Sequence, residues 1–399
     1  MTLISDRLSR FQPSLTVKIS QIAREMSAAG EHVISLSSGE PDFDTPVHIK
    51  KSAIDAIESG FTKYTQVDGV PELKEAICNK FINENGLTFS QDQITVGAGG
   101  KHVIYNLFMS TLNRDDEVII PSPYWVSYPD MVNLAGGKVR IIETDMHDNF
   151  KINAKKLKDS INDNTKWFII NSPGNPTGAV YSKKELLELS RVLMDHPKIQ
   201  ILSDDIYEHI IYEEKFLNIL NVEPRLYERT FIVNGVSKAF SMTGWRIGYG
   251  AGQRDIIKSI SKIQSQSTTN PCSISQIAAK FALQSEKFFL VDWLDKFKKR
   301  RDFLNSFFNS IDGFEPYEPS GAFYLFVNCR GFINRKNPKG NILKDDLDFA
   351  EFLLKDAKVA VVPGAAFGKS PYFRISYATS LNDLTEACNR IKKSIQKIF

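Results

Sequence analysis

Lys238 stands just beyond an apolar run, Phe231 to Val233, in the segment GVSKAFSMTGWRIGYG, with small residues around it and Arg246 close behind. A lysine is rarely buried without a partner, so packing explains this placement poorly. In a desolvated, electropositive site a lysine has a lowered pKa and becomes a nucleophile that can form an imine. The bland alternative is a solvated surface lysine.

Other segments could serve such a lysine. GAGGKH, Gly97 to His102, opens a helical pattern, and a glycine loop at a helix start offers unpaired backbone N–H groups to a phosphate. It is neither a P-loop, since Thr95 and His102 fill places that need Gly and Ser/Thr, nor a dinucleotide fingerprint. An ordinary tight turn is its alternative. NSPGNPTG, Asn171 to Gly178, is first of all a turn, yet the amide of Asn175 could donate to an anionic oxygen. SDDIYEH carries Asp204 beyond a buried run and Tyr207 one helical turn later; cap and core are the usual fates of these types.

The elements that must position these residues follow from periodicity. Ile94 to Val96, Val118 to Ile120, Val139 to Ile142, Phe168 to Ile170, Ile201 to Leu202, Phe231 to Val233 and Ile247 to Tyr249 read as buried strands. Helical patterns alternate with them, which predicts an α/β fold with a mostly parallel sheet and ligands beyond the strands' carboxyl ends. Thr45 and Pro46 read as N-cap and first residue of a helix carrying Val47, Ala53, Ile54 and Ile57, with Gly60 at its stop. Leu73, Ala76, Ile77 and Phe81 mark another helix.

Composition narrows the classes. The 399 residues are 42% hydrophobic, enough for two domains, and a net charge of +3 without long charge runs points to neither nucleic acid nor membrane. Four dispersed cysteines suggest no disulfide framework or zinc site, so a reducing cytoplasm is the expected setting. The N-terminus lacks the apolar core of a secretory signal, and no run approaches the ~18 apolar residues of a membrane helix. GxGxxG, GxSxG and HExxH are absent, which disfavours a nicotinamide dehydrogenase, a serine hydrolase and a zinc protease.

GVSKAFSMTGWRIG resembles the lysine-attachment motif of the class I pyridoxal-phosphate aminotransferases. SGEPDFDTP, KYTQVDGVPELKEAI, PSPYWVSYPDM, NSPGNPTG, SDDIYEH and YFRISYATS look like that family too, in its order and over nearly the whole chain. The nearest likeness is to the bacterial aspartate aminotransferases of the aspartate/prephenate branch. The resemblance implies a fold type I enzyme, whose large domain carries a mostly parallel seven-stranded sheet flanked by helices, plus a smaller α/β domain. It divides the chain into 1–44 (N-terminal arm and part of the small domain), 45–290 (cofactor domain) and 291–399 (small domain).

The same resemblance implies roles. Lys238 would carry pyridoxal 5′-phosphate as an imine and then act as base and acid; Asp204 would pair with the pyridinium nitrogen, and Asn175 and Tyr207 with the ring's phenolic oxygen. Trp125 would stack on the ring. Arg246, Ser237 and the N–H groups of Gly99 and Gly100 would hold the phosphate, joined by Tyr64 of a neighbouring subunit in a homodimer with shared active sites. Arg374, Gly39, Asn175 and Trp125 would receive the substrate, Arg374 clamping the α-carboxylate bidentately. L-aspartate and 2-oxoglutarate are the implied pair, with prephenate or aromatic amino acids as an alternative and a non-enzymatic sensor as a remote one.

Two departures from the family's pattern bear on the substrate, and a third on the phosphate. QSQSTTNPCS, Gln264 to Ser273, offers no arginine for a distal carboxylate, so Lys101 is the expected cation. Gln12 stands where relatives credited with prephenate transamination tend to carry lysine, which weighs against that activity. Gly235 replaces a phosphate-bonding serine.

Overall fold

The computed structural model describes residues 3–11, 15–213 and 215–399; Gln12 lies outside them. All seven expected strands form one sheet: β1 (Ile94–Gly97), β2 (Glu117–Ser122), β3 (Lys138–Glu143), β4 (Thr165–Asn171), β5 (Gln200–Asp204), β6 (Thr230–Gly235) and β7 (Gly248–Ala251), in the order β1-β7-β6-β5-β4-β2-β3. β7 runs antiparallel to both neighbours, and the remaining pairs are parallel. The inner strands are apolar along their length because both faces are covered, whereas the edge strand β3 is largely exposed and carries Arg140. Ile119, Phe168, Ile170, Ile201 and Ile232 enter one core, while Val118, Trp167, Ile169, Leu202 and Phe231 enter the other.

Register brings the chemistry together. Asn171 pairs with Asp204, and Asp204 with Val233, so adjacent parallel strands end at one level and release NSPGNPTG, DDIYEH and the Lys238 loop on one edge. This is where open α/β sheets bind ligands.

A second, antiparallel sheet joins β8 (Glu315–Tyr317), β9 (Tyr324–Asn328), β10 (Val362–Pro363) and β11 (Tyr372–Ser376) in the order β10-β11-β9-β8. Ile34–Ser35 pairs in parallel with Val359–Ala360. Phe308, Phe323, Phe349 and Phe373 build the core there, together with Ile19 and Ala23 of the N-terminal helix Leu15–Ala28. The long helix Phe288–Asn309 sends Phe297 and Leu304 into the same core. Among the described residues no helix is long and apolar enough to cross a membrane.

One expected helix differs in detail. It spans Val47–Glu58 with Pro46, not Thr45, in the N-cap place and no side-chain cap. Thr45 is committed elsewhere: its hydroxyl donates to the Ser241 carbonyl at 2.6 Å and accepts from Trp245 Nε1 at 3.1 Å. Ile49, Ser52, Ala53 and Ala56 form the buried face, whereas Val47, Ile54 and Ile57 are exposed. The helix stops before Gly60, whose φ of 75° is one that a β-carbon disfavours.

Candidate active site

A cavity of about 450 Å³ opens at the strand ends, between the two sheets. Its wall includes Lys238, Asp204, Tyr207, Asn175, Arg246 and Arg374, from four separate stretches of sequence. Gly39, Gly100, Lys101, Trp125 and Ser237 also line it. Tyr64 does not; it is 88% exposed on the outer surface.

The Lys238 amine donates to the Gly39 carbonyl at 2.5 Å. Burial first, then the nearby Arg374 guanidinium, lowers its pKa to about 8, against the weaker pull of Glu40 and Asp204. A fraction of neutral amine therefore exists near neutral pH, as a nucleophile requires. The Gly39 segment is itself clamped. Asp42 accepts two bonds from Arg300, at 2.7 and 2.8 Å, Phe43 stacks on Trp293, and the Ser241 hydroxyl donates to the Phe43 carbonyl.

Asp204, the last residue of β5, is buried, and burial raises its pKa to about 6 despite a hydrogen bond donated by Tyr128 at 2.5 Å. Asn171 Nδ2 donates to its backbone carbonyl at 2.9 Å, fixing the strand end. Tyr128 packs edge-on to Trp125, with ring centroids 5.2 Å apart, so one tyrosine braces both the acid and the indole. Tyr207 shares a hydrogen bond of 2.7 Å with Tyr324, and burial, then Tyr324, pushes its phenol well up.

Arg374, on β11, is buried between the rings of Tyr324 and Phe367, 4.3 and 5.0 Å from their centroids. Nη1 donates to Asn175 Oδ1 at 2.9 Å and Nη2 to the Ser37 carbonyl at 2.7 Å, while the buried Nε has no partner. A buried orphan donor on a cation is costly, and its presence beside a cavity marks a place for an anionic oxygen. Asn175 thus uses its carbonyl on Arg374 and keeps its amide for a ligand.

At the other end of the cavity the glycine loop opens the helix Gly100–Thr111. His102 Nδ1 accepts from the Ala98 N–H at 3.2 Å, and Arg246 donates to the carbonyls of Thr243 and Ala98 at 2.8 and 3.2 Å. Gly99 has a φ of 93°, and a β-carbon there would lie 2.3 Å from Arg246 Nη2. A β-carbon on Gly248 would lie 2.1 Å from the Gly100 nitrogen. Glycines thus let backbone N–H groups and a guanidinium share one small space, a cradle suited to phosphate. At Gly235 a β-carbon would lie 3.0 Å from both the Gly248 Cα and the Ile247 carbonyl, so a serine would be crowded. The Gly235 N–H instead donates to Asn234 Oδ1, whose amide donates to the buried Glu208.

Lys101 is exposed at the mouth, with its amine 5.1 Å from the Trp125 ring centroid. Partial burial of the amine, then Arg246, lowers its pKa, with Asp130 opposing. Sequence reasoning missed Tyr128, Tyr324, Phe367 and Arg24, which also border the cavity. Tyr128 lies in the quoted motif PSPYWVSYPDM, so a signal was at hand; its partner Asp204 is too distant in sequence to be inferred.

A lysine with a lowered pKa, a buried acid and two anion cradles thus share one cavity at the sheet edge. Residues 31–391 match the family described as aminotransferase class I and II. The chain is 53% identical over 393 residues to a probable aspartate/prephenate aminotransferase of Rickettsia prowazekii, covering 98% of both. Among solved structures it resembles the aspartate aminotransferase of Rhizobium meliloti, with a TM-score of 0.96 and 47% identity over 100% of both chains. It also resembles that of Thermus thermophilus with maleate, with a TM-score of 0.93 and 40% identity over 99% of this chain and 100% of the other. The chain belongs to the class I and II aminotransferases.

Proposed function

We propose that this chain transfers the amino group of L-aspartate to 2-oxoglutarate, using pyridoxal 5′-phosphate held at Lys238. The observation that carries the reading is the buried Lys238 amine, with a pKa of about 8, in one cavity with Asp204 and the half-satisfied Arg374. The donors fit the cofactor: Arg246, Ser237 and the Gly99 and Gly100 N–H groups for phosphate, Asp204 for a protonated ring nitrogen, Asn175 and Tyr207 for the phenolic oxygen, and Trp125 for the ring face. When bound, that group supplies a carbonyl for amines and a ring that withdraws electrons.

The chain's own groups do the rest. Lys238 holds and moves a proton at Nζ, and its lowered pKa suits both roles near neutral pH. Asp204, kept charged by Tyr128, favours a cationic partner across from it. Arg374 and the Gly39 N–H orient an α-carboxylate, which fixes the neighbouring carbon relative to Lys238. Lys101 receives the distal carboxylate. Support for a dicarboxylic substrate comes from the relatives' names and from the maleate on the Thermus thermophilus relative. The prephenate reading rests on the Rickettsia prowazekii relative's name.

We divide the chain near Thr45 and Leu290 into a cofactor domain and a smaller one that closes over substrate. Two copies would share active sites, Tyr64 of one reaching the phosphate of the other. The exposure of Tyr64 with Val47, Ile54, Ile57 and Phe61 supports a covered face there. A cytoplasmic setting agrees with four unpaired cysteines.

The test is a half-reaction: purified protein mixed with aspartate, glutamate, phenylalanine or alanine, followed by the absorbance of the bound cofactor. A spectral change with aspartate and its loss, by about 10⁴-fold in rate, in Lys238→Ala are expected. No change with either dicarboxylic amino acid would sink the aspartate reading.

A further inference from the structure

Among the described residues, five cationic side chains border the cavity, Arg24, Lys101, Lys238, Arg246 and Arg374, against the single carboxylate of Asp204. Three of them have evident employment. Lys238 is the nucleophile, Arg246 belongs to the glycine cradle through the Ala98 carbonyl, and Arg374 is fixed by Asn175 and Ser37. Lys101 and Arg24 remain, both exposed and neither in an ion pair among the described residues.

Arg24 comes from an element that the other site residues do not use. The helix Leu15–Ala28 buries Ile19 and Ala23 and packs Ile22 and Met26 against the small-sheet core. At about 100° per residue those four share one stripe, and Arg24 falls off it. Arg24 borders the same cavity as Ser37, Ser38 and Gly39, and so does Lys101, whose amine lies 5.1 Å from the Trp125 ring centroid. An excess of cations around a cavity with two anion cradles leaves room for a third anionic group at the mouth.

We infer that Arg24 is a specificity-determining residue that, together with Lys101, binds the second carboxylate of dicarboxylic amino and oxo acids. A guanidinium supplies a planar fork that a carboxylate matches bidentately, while Lys101 acts as a point charge. The inference rests on the dicarboxylate reading above.

The experiment compares single-turnover half-reactions of the cofactor-loaded wild type, Arg24→Gln and Arg24→Lys with L-aspartate, L-glutamate, L-alanine and L-phenylalanine. In Arg24→Gln the ratio of kcat/KM for aspartate over alanine falls about tenfold, mainly through the half-saturation concentration for aspartate, and Arg24→Lys recovers part of it. A ratio within about threefold of wild type, or equal losses on all four amino acids, overturns the role of Arg24. If wild type itself shows no preference for aspartate and glutamate over alanine, the dicarboxylate reading fails first, whatever Arg24 does. Arg24 is exposed, so its replacement leaves both cores intact, and unchanged circular dichroism checks this.

Discussion

At the floor of the cavity, Asp204, Tyr207 and Arg374 are buried and each is gripped by a partner from a different element: Tyr128, Tyr324 and Asn175. At the mouth, Lys101 and Arg24 are exposed and no carboxylate pairs with them among the described residues. The floor is set by strand register and cannot shift without disturbing a core. The mouth is set by long side chains on a helix start and an N-terminal helix. Chemistry common to many amino acids belongs on the rigid side, and selection between them on the adaptable side.

Replacing Asp204 by Ala tests the rigid side and carries the largest of the three expected effects. Among the described residues its carboxylate is the only one bordering the cavity, so none of these neighbours can substitute for it. Turnover falls by about 10³-fold with aspartate and alanine alike, because the loss is electrostatic and independent of the substrate side chain. Steady-state rates with both substrates check it. A loss confined to aspartate would move Asp204 to the specificity side and break the division.

The floor was also the more legible part of the sequence. All seven strands could be read because each is a short, mostly apolar run, and their exits carried Asn175, Asp204 and Lys238, of which Lys238 alone was poorly explained by packing. The partners were hidden. Tyr128 reaches Asp204 across 76 positions and Tyr207 reaches Tyr324 across 117, and no periodicity encodes such pairs. Val47, Ile54 and Ile57 kept a helical spacing yet face outward, since spacing marks an apolar stripe without saying which side of it meets the core. Thr45 looked like a cap because its position suited one; its hydroxyl instead ties two segments of the site, a bond set only by tertiary structure. Arg24 lies in an ordinary amphipathic helix and carried no sequence signal.

Lys101→Ala sharpens the other side. Its side chain is exposed at the mouth and solvent partly screens its half-buried amine, so the expected loss is about tenfold in kcat/KM for aspartate and less than about threefold for alanine. An unchanged value for aspartate removes Lys101 from the site.

Tyr128→Phe has the smallest effect at neutral pH and the most informative shape. Burial raises the Asp204 pKa to about 6, and the Tyr128 hydroxyl works against that by donating to the carboxylate. A hydrogen bond to a charged group contributes about 1.5–3 kcal/mol when buried, equivalent to roughly one to two pKa units. Without it Asp204 takes up its proton at higher pH. A neutral acid cannot balance a protonated ring nitrogen, so cofactor uptake by the cofactor-free protein, which weakens in wild type as pH falls through about 6, should weaken in the variant already about one unit higher. Above that window the carboxylate is charged in both proteins and their affinities converge. Uptake measured by absorbance across pH 5 to 9 gives both limbs. A variant whose acid limb coincides with that of wild type would mean that Tyr128 merely packs against Trp125, and the floor would then be held by burial alone.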